Sequence, residues 1–165
     1  MTIAIARADP QRRLRTIILA DVALATTAGL FTITMASTVA RIPALFWVGV
    51  FVVVSAGLIA TSLQPLARGD IYGAVLRLSA ANWLVAIGST FVATFQWPIQ
   101  MQVTLLPIVL AATFVSRNEL KLFVVVSLIS ATTVAALGLL QDVTGLSDRV
   151  PDWLKTAVLL LTAPP

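Results

Sequence analysis

The chain has 165 residues, 59% hydrophobic and 11% charged, with a formal net charge of +4 and a mean hydropathy of +0.98. Soluble domains carry about 25% charged residues, so water is not the main solvent of this protein. With no Cys and no His, structural zinc, iron–sulfur clusters, bis-His haem, thiol nucleophiles and imidazole bases are excluded. A spanning helix takes about 20 apolar residues, so the length allows about six crossings and leaves no room for a soluble catalytic domain.

Residues 1–15 form a basic segment with Arg7, Arg12, Arg13 and Arg15. The first apolar run, 16–37, exceeds the roughly 7–15 residues of a signal-peptide core and reads as a retained anchor. The second, 42–63, tolerates Pro43 near its start, where the missing N–H would be unpaired anyway. The third, 73–95, turns at Gln96-Trp97-Pro98 into the fourth, 98–115. So short a link predicts an antiparallel hairpin. Pro107 removes a backbone donor and crowds the carbonyl four residues earlier, which predicts a kink. Ser116-Arg117-Asn118-Glu119 fits a capping box at the head of the fifth run, 122–140. A last run, 153–165, is opened by Trp153. At 1.5 Å per residue it reaches roughly 20 Å, about two-thirds of the bilayer core. It is expected either to lie in the interface or to continue through the membrane as a longer natural polypeptide. The expected fold is therefore all-α: a polytopic transmembrane helical bundle over 16–165, with five full spans plus an incomplete sixth.

Placing the N-terminus in the cytosol and alternating sides puts Arg7, Arg12, Arg13, Arg15, Arg68, Arg77, Arg117 and Lys121 inside, against Arg41, Arg149 and Lys155 outside. That asymmetry is what the positive-inside rule predicts, and Trp47, Trp97 and Trp153 then fall at the outer helix ends as an interfacial belt. The expected location is the inner (plasma) membrane, multi-pass. The pI near 10.7 then reflects anionic headgroups beside the spans rather than nucleic acid.

Charges inside spans are costly and draw attention to function. Asp21 is about one and a half turns into the first span, with Ala25 and Gly29 on its face, a small-residue stripe that marks a helix contact. Arg77 has a similar depth on the third span, near Ala74, Ala81 and Gly88. An intramembrane Asp21–Arg77 ion pair is one expectation; separate snorkelling of each side chain to the inner interface is the other. Asn82, Trp83, Gln100, Gln102 and Thr104 gather polar groups in the outer halves of the third and fourth spans. They fit either a small outward-facing pocket for an apolar or amphipathic ligand or plain interhelical hydrogen bonding. Thr26, Thr27, Ser89, Thr90, Thr132 and Thr133 fit the second reading. No phosphate loop, carboxylate pair or nucleophile elbow occurs, so neither enzyme activity in this chain nor a cofactor or metal is expected.

Four words occur in order in the last third: Leu106-Pro107-Ile108, Phe114-Val115-Ser116-Arg117, Ala135-Ala136-Leu137-Gly138-Leu139-Leu140-Gln141-Asp142 and Val150-Pro151-Asp152-Trp153-Leu154-Lys155. With the Arg12-Arg13-Leu14-Arg15 start and the even spacing of spans, the chain resembles the six-span N-terminal membrane modules of actinobacterial signalling proteins such as sensor histidine kinases and nucleotide cyclases. The resemblance implies a sixth helix leading into cytosolic input and catalytic domains; the bundle is expected to work as a homodimer. Its words are structural, and no family ligand site maps onto these residues. The expectation is a membrane anchor and sensory input module whose output domain lies outside this chain. The alternative is a complete small membrane protein, a transporter-like subunit or accessory chain of a larger complex, with an intramembrane enzyme a distant third.

Overall fold

The computed structural model describes residues 9–40 and 43–143, and all regular structure among them is helical. Helix α1 covers Pro10–Met35 and runs into a π-helical turn, Ala36–Ala40. It starts well before the apolar run because Asp9 caps it, accepting a bond from the Gln11 N–H at 3.0 Å, while Pro10 fills a first-turn position that needs no donor. Helix α2 covers Pro43–Ala60 and is followed by a short helix α3, Leu63–Ala67. The second apolar run therefore breaks where one continuous span was expected to reach residue 63. Pro65 is the cause: it has no N–H to give the Thr61 carbonyl, which instead accepts from the Gln64 N–H at 3.2 Å.

Gly69, with φ +81°, turns the chain into α4, Ile71–Val92, whose cap Asp70 accepts from the Gly73 N–H at 2.7 Å. A 3-10 turn, Thr94–Gln96, links it to α5, Trp97–Phe114, which continues through Pro107. Helix α6 covers Arg117–Val143 and begins before the apolar run because the Ser116–Glu119 cap extends it outward. Glu119 accepts from the Ser116 backbone N–H at 2.9 Å, as a capping box requires. The Ser116 hydroxyl, however, donates to the same carboxylate at 2.6 Å.

Five helical segments are long and apolar enough to cross a membrane: 10–38, 45–67, 71–92, 97–114 and 117–140. Their outer faces carry Leu24, Phe31, Val54, Leu84, Val109, Ile129 and Leu140, each more than half exposed. So continuous an apolar surface suits lipid and not water. Most of the polar groups buried inside are Ser and Thr. The Thr26, Ser89, Thr90, Thr132 and Thr133 hydroxyls donate to the carbonyl four residues earlier in their own helix. These five satisfy themselves locally and do not bridge helices, which corrects their sequence reading: in a medium without water the nearest acceptor is one turn away.

Helix α4 is the hub, packing on α2, α5 and α6, while α1 leans chiefly on α2 and α5 pairs with α6. The α1–α2 crossing is glycine-mediated: Gly29 and Gly49 face each other, and a Cβ on Gly29 would stand 3.0 Å from the Gly49 carbonyl oxygen. The small-residue stripe of the first span is thus a helix contact, with Ala25 packed against the core and Gly29 buried. The core joins Leu14 and Ile18 of α1 to Ile59, Leu66, Leu78, Trp83 and Phe123. The expected sixth run, 153–165, together with Arg41, Arg149, Lys155 and Trp153, lies outside the described residues.

Candidate functional site

The polar residues expected to gather between the third and fourth spans do so in part. Trp83, near the middle of α4, is buried, and its indole N–H donates to the Thr104 carbonyl on α5 at 3.3 Å and to the Ser127 hydroxyl on α6 at 3.1 Å. One donor therefore ties three helices. Thr104 and Ser127 are fully buried, and the Thr104 hydroxyl donates to the Met101 carbonyl at 2.6 Å. Pro107 withholds a donor from the Val103 carbonyl, the neighbour of Thr104, so the indole bond falls next to the one gap in the α5 ladder. Phe123 packs beside the indole with ring centroids 6.2 Å apart, and Tyr72 meets the other side of Phe123 edge-on at 6.1 Å.

Gln100, one turn before Thr104 on the same face of α5, is buried, and Asn82 is half-buried beside Trp83. Gln102 is exposed and does not face the tie. Ser127 was not singled out from the sequence. Its only sequence signal is a lone hydroxyl within the apolar stretch from Leu122 to Ile129, which several other serines share.

Asp21 is half-buried on α1, and Arg77 is exposed on α4. The Arg77 guanidinium donates at 3.4 Å to the Thr61 carbonyl and at 3.4 Å to Gln64 Oε1. Its hydrogen-bond partners are thus at the α2–α3 break, and Asp21 is not among them. The cation adds a second donor to the Thr61 carbonyl just past the end of α2, as basic side chains do at helix C-termini. Two further hydroxyls, Ser62 Oγ and Ser79 Oγ, are buried without a partner among the described residues.

Among the described residues, the helix alternation collects the basic side chains toward one end of the bundle. Arg12, Arg13 and Arg15 open α1, Arg68 and Asp70 lie between α3 and α4, and Arg117, Glu119 and Lys121 open α6. The described residues of the opposite end contain no Lys or Arg. Glu119 sits in the first turn of α6 and accepts from both the Ser116 hydroxyl and its backbone N–H. At this same end a cleft of about 560 Å³ opens between the first turns of α1 and helix α3. No group of three metal-ligating side chains occurs among the described residues.

No known protein family, curated protein or solved structure matches this chain.

Proposed function

We propose that this chain is the membrane-anchoring and sensory input module of a signal-transduction protein, seated multi-pass in the inner (plasma) membrane with its N-terminus cytosolic. Five spans cross the bilayer, 153–165 begins a sixth, and a kinase- or cyclase-type output domain works on the cytosolic side within a homodimer. The crowding of cations at one end supports the orientation, because that end faces the anionic leaflet. The observation that carries the sensory reading is the Trp83 tie. A single indole N–H shared between α5 and α6 can settle on either acceptor. A ligand or lipid that favours one of these states shifts the packing of α6 against α4. The shift then passes along α6 toward the following segment.

The test joins two measurements in the native host. The gene is read beyond the codon for Pro165, and Trp83→Phe is introduced at the genomic locus while the phosphorylation or cyclic-nucleotide output of any encoded or co-purifying domain is followed. A soluble output domain whose basal activity changes in the variant supports the reading. A stop codon after Pro165, with the chain recovered only as a subunit of a larger transport complex, overturns it in favour of an accessory role.

A further inference from the structure

The cleft at the charged end is lined on one side by Gln11, Arg12 and Arg15 of α1, with Asp9 at its edge, and on the other by Leu63, Leu66 and Ala67 of α3. Its chemistry is divided: two guanidiniums and an amide face an apolar wall. Arg12 and Arg15 are three apart and so project from one face of α1. Like charges at that spacing repel, which leaves the pair in want of an anion. Asp9, which caps α1 through the Gln11 N–H at 3.0 Å, brings one negative charge against two positive ones and so does not neutralise both. Arg13, on the same turn, points away and does not line the cleft.

The size falls within the roughly 300–1,000 Å³ of small-molecule sites. The position decides what fills it. The cleft sits where the first span meets its polar flank, at headgroup depth, and its apolar wall borders the hydrocarbon. The geometry points to a binding site for an anionic phospholipid, with the phosphodiester held by Arg12 and Arg15 and the glycerol and upper acyl carbons against Leu63, Leu66 and Ala67. Arginine suits the role because its fork meets two phosphate oxygens at once. Occupancy would clasp α1 to the α3 segment, two elements that otherwise share little contact. This assignment needs only the membrane setting and does not depend on the signalling reading.

The test uses the full chain, delipidated in detergent and offered equimolar phosphatidylglycerol and phosphatidylcholine, with retained lipid counted by native mass spectrometry. The wild type is expected to retain phosphatidylglycerol preferentially. Arg12→Gln/Arg15→Gln lowers that retention roughly thirtyfold, from the loss of two basic contacts, while Arg13→Gln lowers it less than threefold. Ala67→Trp, which fills the apolar wall without changing charge, lowers it at least fivefold. Equal losses from Arg13→Gln and the double variant, or full retention by Ala67→Trp, would show general surface attraction and overturn the site. Displacement of the lipid by millimolar inorganic phosphate would overturn the lipid assignment in favour of a soluble anion.

Discussion

The Gly29–Gly49 crossing makes a prediction whose sign runs against ordinary helix propensity. In a helix interior Gly→Ala is favourable by about 1 kcal/mol, and Gly57, where an added Cβ meets nothing within 4 Å, should behave in that way. At Gly29 the added Cβ would lie 2.6 Å from Val53 Cγ2, 3.0 Å from the Gly49 carbonyl oxygen and 3.0 Å from the Val53 nitrogen. The valine methyl can rotate aside, but the two backbone atoms cannot. At Gly49 the nearest backbone atoms are closer still, the Gly29 oxygen at 2.8 Å and the Ile33 nitrogen at 2.9 Å. Ordinary contact begins near 3.4 Å, so α1 and α2 must separate by about half an ångström along the crossing. Overpacking of this kind costs about 1–3 kcal/mol, which outweighs the propensity gain. Gly29→Ala and Gly49→Ala should each be up to about 2 kcal/mol less stable than wild type, and Gly57→Ala should be unchanged or up to about 1 kcal/mol more stable. The double variant Gly29→Ala/Gly49→Ala should cost less than the sum, because one separation relieves both clashes. Equilibrium unfolding in mixed detergent–SDS micelles, followed by far-UV circular dichroism and tryptophan fluorescence, measures all four. If Gly29→Ala proves as stable as Gly57→Ala, the two helices do not cross there and the α1–α2 packing is wrong.

The Trp83 tie predicts that Trp83→Phe loses about 1–3 kcal/mol in the same unfolding assay, from two intramembrane hydrogen bonds of about 0.6–1.7 kcal/mol each and the packing of the larger ring. A double-mutant cycle with Ser127→Ala should show coupling of at least about 0.5 kcal/mol, and strict additivity would show that the bond to Ser127 contributes nothing. Ser79→Ala should be neutral or stabilising, since the hydroxyl it removes has no partner and its burial costs about 1–3 kcal/mol; a clear loss of stability would reveal an acceptor or water at that site. The Ser116–Glu119 cap holds the first turn of α6 through two hydrogen bonds, so Glu119→Ala should weaken protection of the first α6 amides in hydrogen exchange by about 0.5–2 kcal/mol; unchanged protection would show that the cap contributes nothing.

The membrane class and nearly every helix could be read from the residues alone. Each apolar run must satisfy its backbone donors within itself once water is excluded, so the local pattern is enough to dictate a helix. Where a run was misjudged the cause was also local but subtler. Asp9 and the Ser116–Glu119 pair extend α1 and α6 beyond their apolar stretches, and Pro65 cuts the second run because the Thr61 carbonyl loses its donor. The functional residues were less legible. Trp83 and Thr104 stood out as polar groups in spans, yet nothing in the order of residues ties the indole to Ser127, 44 positions away. Arg77 stood out as a charge in a span, but whether it would meet Asp21 or the α2–α3 break depended on which helix lies beside α4.

Composition and hydropathy by themselves determined that the chain lives in lipid as a set of antiparallel helices with most of its cations on one side, because those properties follow from solvation and chain direction residue by residue. Only the tertiary structure decided that α4 is the hub, that Gly29 meets Gly49, and that Arg12 and Arg15 face Leu63 and Leu66 across a cleft. Between helices uniformly clothed in apolar side chains, hydrophobicity expresses no preference for one neighbour over another, and the choice falls to close packing and a few hydrogen bonds between residues far apart in the chain.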